Sequence, residues 1–472
     1  MRLKSQKGLQ IGLFITYRYS IFLHLCPMYI LKGFFGLVVL LAIAFVFSSH
    51  RKSINWRLVL SGVGMQLILA LLIFKVPGFD KVFEFFAASF TKLLSFTDQG
   101  AEFIFGKWPN VAQMFAVENV DGTMTQVSHT IGYVFAFKVL PTIVFFSALT
   151  SLLYYLGVLQ KIVYGFAWIL SKTMRLSGAE SLAAAANVFV GQTEAPLVVK
   201  PYIKSMTKSE ILCLMTGGMA TIAGGVFAAF IGLLGGDSIE LQQMFAKHLL
   251  TASVLSAPAA IVFSKMLLPE KEEVDKDLNI DKTKIGSGPL EAISNGTTEG
   301  IKLAVNVGGM ILVFLAFIAM INYVLSDVVG QYSGLNKWVN TVSDGTYKEF
   351  KLQMILGYLF APVAWVIGIP WNDTLLAGQL LGEKTVINEF IAYISLGDMQ
   401  SKGLISNTRT VVIMTYALCG FSNFASIGIQ IGGIGTIAPN QRPTLAKLGM
   451  RALLGGTLAC LMTAAVAGIF YG

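Results

Sequence analysis

The sequence Gly191-Gln192-Thr193-Glu194-Ala195-Pro196 lies within an otherwise apolar stretch of the chain, and Asn388-Glu389-Phe390 lies within another. Each string places a carboxylate where a membrane interior or buried protein would be expected. A charge at the bilayer centre costs at least about 2.5–3.5 kcal/mol on insertion scales, so it is rarely kept without a polar cavity or a ligand. Each string also follows Gly-rich or interrupted helical sequence, as in the half-helices of secondary transporters. The two strings therefore predict a solute carrier and the position of its solute.

Composition favours a membrane protein. Of the 472 residues, 55% are apolar and 13% are charged, and the mean hydropathy is +0.68. Soluble domains carry about 25% charged residues. Most apolar runs approach the ~20 residues of a transmembrane helix rather than the ~10 of a barrel strand. We therefore expect an all-α polytopic membrane protein.

The charged and metal-binding residue types exclude several other classes. The net charge of +9 lies mainly in short loops, where it orients spans, and does not indicate a nucleic-acid partner. The four cysteines and four histidines are scattered, so we predict no disulfide framework and no metal site built from them. No nucleotide-binding motif of the Walker type is present, so ATP drive is not expected.

Two interrupted stretches divide the apolar spans. The first, 177–203, has basic residues on both sides, so we expect a re-entrant hairpin that enters and leaves on the cytoplasmic side. The second, 352–397, is expected to enter from outside, and such an opposed pair is typical of an inverted repeat. Ala220-Thr221-Ile222 and Ala425-Ser426-Ile427 follow the two hairpins as an internal echo. We predict an interfacial helix at 79–106, a polar outer segment at 107–130, and eight spans at about 29–48, 58–76, 131–156, 211–234, 247–267, 301–325, 408–436 and 445–470.

The predicted organisation has six parts. Residues 1–27 form an N-terminal extension that we attribute to an upstream start codon, with Met28 opening the working protein. The other parts are a scaffold of N-terminal spans and interfacial helix (28–176), the first hairpin and its spans (177–267), a cytoplasmic linker (268–300), a long scaffold span with an outer segment (301–351), and the second hairpin with the last spans (352–472). The two hairpin parts are expected to form the transport unit.

The first string suits a flat polar ligand. Pro196 lacks an N–H and disfavours helix at the preceding residue, so the chain should turn there and free backbone groups. Gln192 offers a donor and an acceptor, Thr193 a hydroxyl, and Glu194 acceptors. This set fits the edge of a nucleobase or another heterocyclic amide. It does not fit an anion, because no arginine is nearby.

The second string suits a diol. An ionised Glu389 can accept hydrogen bonds from two adjacent hydroxyls, as on a ribose. The alternative is a buried structural ion pair with Lys384 or Lys302. Further along, Asn423 and Ser426 are three residues apart and so are expected to share a helical face.

A ring and a cation site complete the polar constellation. Phe421 can pack against a flat base. Asn187 and Thr221, with carbonyls of Val190 and Ile222 freed by broken helices, can hold Na⁺ without a formal charge. For the amide and hydroxyl side chains of both sites the alternative is ordinary hydrogen bonding between helices.

At these residues the chain resembles the concentrative nucleoside transporter family. The family's hallmark is Gly-x-Lys, three residues, then Asn-Glu-Phe-Val-Ala and an aromatic residue or Met. Here it reads Gly382-Glu383-Lys384-Thr385-Val386-Ile387-Asn388-Glu389-Phe390-Ile391-Ala392-Tyr393, with Ile391 in place of Val. Gly191–Pro196 and Gly420-Phe421-Ser422-Asn423-Phe424-Ala425-Ser426 are also similar to family segments. The resemblance spans about 29–470.

The resemblance implies a homotrimer of eight-span protomers, with a central scaffold and a transport part that crosses the membrane. The residues that it implies for the base are Gln192, Thr193, Glu194, Val226 and Phe421, and those for the ribose are Glu389, Asn423 and Ser426. The residues that it implies for Na⁺ are Asn187, Val190, Thr221 and Ile222, with Thr221 where Ser is common. Some relatives are proton-driven and lack the Asn and Gln-Thr-Glu pattern, so its presence favours sodium. Pyrimidine-selective relatives can carry Ser in place of Gly191, which implies room here for a larger base.

These observations predict Na⁺-coupled nucleoside uptake across the inner (plasma) membrane by alternating access, with no enzymatic activity. Sodium is expected to order the tip of the first hairpin, so that the nucleoside meets a preformed site. The first alternative is an H⁺-coupled nucleoside symporter. A membrane-embedded enzyme with Glu194 and Glu389 as an acid/base pair is a distant alternative, because no nucleophile or metal constellation accompanies them. A channel or receptor is the remaining one.

Overall fold

The computed structural model describes residues 28–106, 113–118, 124–129, 134–236, 238–278, 287–405 and 407–471. The predicted N-terminal extension, residues 1–27, lies outside these ranges. Within them the regular structure is helical apart from one two-stranded sheet. The predicted all-α class is therefore confirmed.

The helices are numbered in chain order. Their bounds are α1 Met28–Val46, α2 Trp56–Lys75, α3 Phe79–Phe105, α4 Phe135–Tyr155, α5 Val158–Met174, α6 Gly178–Asn187, α7 Ala195–Val198, α8 Lys200–Ile203, α9 Lys208–Ala220, α10 Gly224–Gly235, α11 Ile239–Leu267, α12 Pro289–Asn322, α13 Gln331–Ser333, α14 Leu335–Val342, α15 Leu352–Val366, α16 Thr374–Val386, α17 Glu389–Ser401, α18 Thr408–Leu418, α19 Phe424–Ile437 and α20 Arg442–Phe470. The amphipathic α3 agrees with the predicted interfacial helix.

Length and hydropathy identify the helices that cross the membrane. Seven helical stretches among the described residues are long and apolar enough: α1, α2, α4, α9 with α10, α11, α12 with its continuation, and α20. The eighth predicted span, 408–436, is not continuous, because Cys419–Asn423 separates α18 from α19. At about 1.5 Å per residue, neither half covers the ~30 Å of the hydrocarbon core alone. A second non-helical segment, Thr221–Ala223, separates α9 from α10.

Two re-entrant hairpins lie between the crossing helices. In the first, α6 has 10 residues and about 15 Å of length, so it enters the membrane without crossing it. The chain turns at Val188–Glu194 and returns through α7 and α8. In the second, α16 and α17 have 13 residues each. Three crossings, by α9–α10, α11 and α12, separate the two hairpins. An odd number of crossings places the hairpins on opposite sides, as predicted.

The predicted bounds of the second hairpin, 352–397, are wrong. Residues Leu352–Val366 form the separate helix α15, which packs along α16 in the way that α5 packs along α6. The hairpin itself is Thr374–Ser401. Hydropathy could not separate the two, because α15 is as apolar as a membrane-inserted arm. The repeat therefore runs α4, α5, hairpin, broken helix, α11 and again α12, α15, hairpin, broken helix, α20.

The similar sequences at 220–222 and 425–427 do not occupy equivalent positions in the two halves of the structure. Thr221 lies in the first break, whereas Ser426 lies in the first turn of α19, after the second break. The segment that corresponds to Thr221–Ala223 is Cys419–Asn423. Gly420 lies in this second break at φ +150°, and a Cβ there would stand 2.9 Å from the backbone of Ala220. A side chain at Gly420 would therefore prevent the close approach of the two breaks.

The secondary structure of one segment and the start of one helix also differ from the prediction. The polar outer segment contains an antiparallel hairpin, β1 Gln113–Glu118 and β2 Met124–His129, in which Gln113 pairs with His129. The long sixth helix begins at Pro289, inside the predicted linker 268–300, and continues beyond Asn322 through a π-helical segment to Ser333.

A buried ionic cluster closes the base of the first hairpin. Lys265 of α11 pairs with Glu180 of α6, and its ammonium lies 3.4 Å from Glu270 in the loop that follows. Partial burial acts to raise the pKa of Glu270, but Lys265 and the hydroxyl of Thr207, which donates at 2.7 Å, outweigh it and lower the pKa. The cluster therefore ties α6, α9, α11 and the start of the linker together.

The start of the linker also crosses the hairpin base as a strap. The N–H of Gly178 donates to the carbonyl of Asp275 at 2.9 Å, and the hydroxyl of Tyr202 donates to that of Asp277 at 3.0 Å. A Cβ at Gly178 would overlap the backbone of Asp277. Residues 275–277 thus hold both arms of the hairpin at its base.

Candidate functional site

Four non-regular segments meet in the middle of the protein: the tips of the two hairpins and the breaks of the two divided helices. The N–H of Phe421 donates to the carbonyl of Thr221 at 3.3 Å, so the two breaks are bonded to each other. Helix α17 begins at Glu389 and α19 begins after Asn423, so positive ends of helix dipoles lie here. Helices α6 and α9 end at Asn187 and Ala220, which brings negative ends to the same region.

Glu389 is 3% exposed and accepts a hydrogen bond from Nδ2 of Asn423 at 2.7 Å. Asn423 is the N-cap of α19, and its Oδ1 accepts from the N–H of Ser426 at 2.9 Å. A backbone N–H can only donate, so this cap fixes which end of the Asn423 amide faces Glu389. Asn423 and Ser426 were expected to share a helical face. Instead Asn423 precedes the helix and caps it by accepting from the N–H of Ser426. Among the side chains of the described residues, Asn423 is the donor to the Glu389 carboxylate.

The alternative of an ion pair at Glu389 is wrong. No lysine or arginine nitrogen in the described part of the chain lies within 4.0 Å of its carboxylate. Lys384 donates instead to the carbonyl of Ala417 at 2.8 Å, near the end of α18, and Lys302 pairs with Glu299 on an exposed surface. The last carbonyls of a helix lack intrahelical partners, and a cation there is favourable. Lys384 therefore stabilises the end of a half-helix.

Gln192 links the first hairpin to α19. Its Nε2 donates to Oγ of Ser426 at 3.1 Å, and the side chain is 7% exposed. Its Oε1 accepts from Nε2 of Gln430 at 3.1 Å. Gln430 was not among the predicted residues. The available signal was its position four residues after Ser426 in an otherwise apolar helix, which places both side chains on one face.

The other two residues of the Gln-Thr-Glu string are directed elsewhere. Thr193 is exposed and Glu194 is half-buried. The carboxylate of Glu194 accepts from the N–H of Gly191 at 3.1 Å. Glu194 also lines a cavity of about 200 Å³ between the hairpin and helices α4 and α12, with Asn295 and Glu299 on the opposite wall. Of the three predicted base-facing residues, the structure joins only Gln192 by hydrogen bonds to the group around Glu389.

Two of the residues predicted to contact the base and one glycine lie in or next to the non-regular segments. Val226 lies in the first turn of α10 and Phe421 in the second break, and both are buried. A Cβ at Gly191 would lie 2.9 Å from Cβ of Ala223. The space beside Gly191 is therefore occupied by the first break, and the glycine permits this close packing.

Two of the predicted cation ligands, Asn187 and Thr221, lie on either side of Gly217. Asn187 is 1% exposed, and neither atom of its amide has a hydrogen-bond partner among the residues that the structure describes. It lies over Gly217, whose carbonyl accepts from the hydroxyl of Thr221 at 2.9 Å. The hydrogen bonds of the described residues leave the carbonyl oxygens of Val190 and Ile222 without a donor. These neutral oxygens, at the negative ends of α6 and α9, fit a monovalent cation. No cluster of three or more His, Cys, Asp or Glu is found among the described residues.

Opposed hairpins and broken helices around a buried polar centre define a secondary membrane transporter. Sequence models described as "Na⁺ dependent nucleoside transporter" match residues 35–108 (N-terminus) and 248–468 (C-terminus), and one described as "Nucleoside recognition" matches 136–237. The chain belongs to the concentrative nucleoside transporter family, as the resemblance predicted.

Individual relatives agree. The chain is 38% identical to an "Uncharacterized transporter" of Haemophilus influenzae, covering 94% of this chain and 99% of that protein. It is also 38% identical to "Solute carrier family 28 member 3" of Mus musculus, covering 93% of this chain and 58% of the longer relative. A structure of CNTnw in an inward-facing substrate-bound state has a TM-score of 0.81 at 37% identity, covering 94% and 100% of the two chains. The family and the apolar helices of this chain together make it a multi-pass membrane protein.

Proposed function

We propose that this chain takes up nucleosides together with Na⁺ across the inner (plasma) membrane. One observation supports the nucleoside most directly: Glu389 is a buried carboxylate whose protein partner is the neutral Asn423. A buried ionised group without a counter-charge is costly unless hydrogen-bond donors satisfy it. Two adjacent ribose hydroxyls supply such donors. Ser426 accepts from Gln192 and keeps its hydroxyl hydrogen for the same ligand.

The base belongs on the side of Gln192 and Phe421 in this proposal. Gln192 carries a second amide hydrogen beyond the one given to Ser426, and Phe421 provides a ring next to Asn423. Val226 adds an apolar wall. Thr193 and Glu194 come to the base only when the first hairpin approaches it more closely, which requires a movement of this hairpin.

Sodium is proposed as the coupling ion because of Asn187. A buried amide with neither atom bonded costs about 1–3 kcal/mol for each unsatisfied group. An ion held by Oδ1 of Asn187, the hydroxyl of Thr221 and the carbonyls of Val190 and Ile222 removes part of this cost. It also fastens the tip of the first hairpin to the first break. The nucleoside then meets an ordered site. Without Na⁺ the tip of the first hairpin is less ordered and binds the nucleoside weakly.

Transport follows by alternating access. The hairpins, broken helices and bound cargo cross as one body, and the remaining helices form the scaffold of a homotrimer. Each Na⁺ that enters gains about 2.3 kcal/mol per 100 mV of membrane potential, in addition to its concentration gradient. This energy accumulates an uncharged nucleoside.

The decisive experiment uses the full chain in proteoliposomes with radiolabelled uridine and adenosine. We expect accumulation above equilibrium with an inward Na⁺ gradient, and none when choline replaces Na⁺ at constant pH. Accumulation that follows an imposed pH gradient without Na⁺ would overturn sodium coupling and favour the H⁺-coupled symporter. Failure to concentrate either nucleoside under any gradient would overturn the proposal as a whole. Equilibration without uphill accumulation would indicate a channel.

A further inference from the structure

Two side-chain amides beside the site, those of Gln430 and Gln192, have their donor and acceptor ends oriented by a backbone carbonyl. Nε2 of Gln430 donates at 3.0 Å to the carbonyl of Met215, which belongs to α9. A carbonyl can only accept, so the nitrogen of Gln430 must face α9. The same nitrogen also contacts Oε1 of Gln192 at 3.1 Å, and the oxygen of Gln192 must therefore face Gln430. The nitrogen of Gln192 is left to face Ser426.

The surroundings hold this arrangement in place. Gln430 is 1% exposed, so water does not compete for its amide. Both glutamines lie over Gly218 of α9, where a Cβ would stand 2.8 Å from Nε2 of Gln430 and 2.9 Å from Cβ of Gln192. The absence of a side chain at Gly218 is what allows the two amides to meet. Oε1 of Gln430 has no partner in the described part of the chain, so the amide is held through its nitrogen alone.

We infer that Gln430 is a specificity-determining residue: it fixes Gln192 as a hydrogen-bond donor to the base and so favours keto nucleosides over amino nucleosides. The inference rests on the proposed function, because it assigns a preference to that nucleoside site. Because its oxygen is turned toward Gln430, the end of Gln192 that faces Ser426 and the proposed ligand carries N–H groups. Uridine and inosine offer a carbonyl where cytidine and adenosine offer an amino group. An amino group facing an N–H leaves two donors opposed, and a site built with a fixed hydrogen-bonding group rejects such a mismatch strongly.

Two substitutions of Gln430 separate polarity from packing. Gln430→Met keeps an unbranched side chain of similar length and removes both polar atoms, so Gln192 is free to rotate. Gln430→Glu keeps the shape and, in its ionised form, offers only acceptors, so we expect Gln192 to turn its nitrogen toward position 430 and its oxygen toward Ser426. Gln66→Met is the matched control. Gln66 is fully buried, donates to the carbonyl of Leu255 at 2.7 Å and has an oxygen to which no described residue donates, but it lies in α2, away from the site.

The measurement is the inhibition of uridine uptake by uridine, cytidine, inosine and adenosine in proteoliposomes. We expect the wild type and Gln66→Met to prefer the keto member of each pair by about tenfold, the equivalent of one hydrogen bond. Gln430→Met should reduce this ratio to about one through KM, with the Na⁺ dependence unchanged, and Gln430→Glu should reverse it. A keto-to-amino ratio in Gln430→Met within twofold of the wild type, or a wild type that prefers the amino nucleosides, would overturn the inference. Absence of any uptake by the wild type would instead count against the proposed function.

Discussion

Replacement of Glu389 by Gln tests the ribose contact with the smallest change of shape. In the wild type, one carboxylate oxygen accepts from Asn423 at 2.7 Å, and the ribose hydroxyls are proposed to donate to the carboxylate. The N–H of Ser426 fixes the orientation of Asn423, so the new amide must turn its oxygen toward Asn423. Its NH₂ group then faces the ribose, where the hydroxyls need an acceptor.

The magnitude follows from the bonds that are lost. Two hydroxyls lose hydrogen bonds to a charged group, at about 1.5–3 kcal/mol each. The total of about 3–6 kcal/mol corresponds to at least a hundredfold loss in kcat/KM for uridine, since about 1.4 kcal/mol is tenfold. The fold should change little, because the side chain keeps its volume and its bond to Asn423.

The assay compares initial uptake of uridine with that of 2′,3′-dideoxyuridine by the wild type and the Glu389→Gln variant in proteoliposomes. The dideoxy substrate lacks the hydroxyls, so the substitution should cost it little. Glu383→Gln is the matched control, because Glu383 is also a buried carboxylate on the second hairpin but accepts from Gln379 at 2.9 Å. Uridine uptake by Glu389→Gln within threefold of the wild type would refute the reasoning, as would an equal loss for both substrates.

Three further outcomes follow from contacts described above. Asn187→Ala should raise the Na⁺ concentration for half-maximal uridine uptake by about tenfold. Thr216→Val should not, although it removes a buried hydroxyl of α9 that also has no partner among the described residues; equal effects of the two substitutions would contradict the cation role of Asn187. Gly178→Ala should lower the unfolding free energy by about 1–3 kcal/mol, measured in detergent by thermal unfolding, because its Cβ overlaps the backbone of Asp277; an unchanged midpoint would argue against the strap. Glu270→Gln should destabilise the protein at neutral pH, and the difference should disappear as the pH falls through the lowered pKa of Glu270. A lowered carboxyl pKa adds stability only while the group is ionised, so a destabilisation that persists in strong acid would contradict this origin.

Much of the fold could be predicted from the sequence because apolar length is a strong signal in a membrane. The predicted bounds of α2 and α20 differ from the observed ones by a few residues at most. Broken-helix carbonyls were predicted near Ile222, but the span 408–436 was predicted as continuous, so the break at Cys419–Asn423 was not located. The apolar character of α15 joined this helix to the predicted second hairpin. The strands Gln113–Glu118 and Met124–His129 were predicted only as a polar outer segment. Strands this short carry too weak a sequence pattern to be distinguished from a loop.

The site was predictable in its parts and not in its connections. Charged and amide residues in apolar sequence identified Gln192, Glu389 and Asn423. The sequence alone could not show that Asn423 caps α19, since capping depends on where the break falls. Gln430 was overlooked because a single amide in a membrane helix usually indicates a helix contact. The orientation of the Gln430 amide depends on the backbone carbonyl of Met215, and a contact with a backbone carbonyl cannot be predicted from the type of the residue that carries it.

The hydrogen bond between the N–H of Phe421 and the carbonyl of Thr221 joins the two proposed binding sites, so we expect the binding of sodium and the binding of nucleoside to be thermodynamically coupled. One break carries the proposed cation ligand Thr221, and the other carries the proposed nucleoside contact Phe421. A ligand that stabilises this junction when it binds at one site also favours binding at the other site. Linkage requires the two changes in binding free energy to be equal. If sodium raises the affinity for uridine by some factor, uridine must raise the affinity for sodium by the same factor.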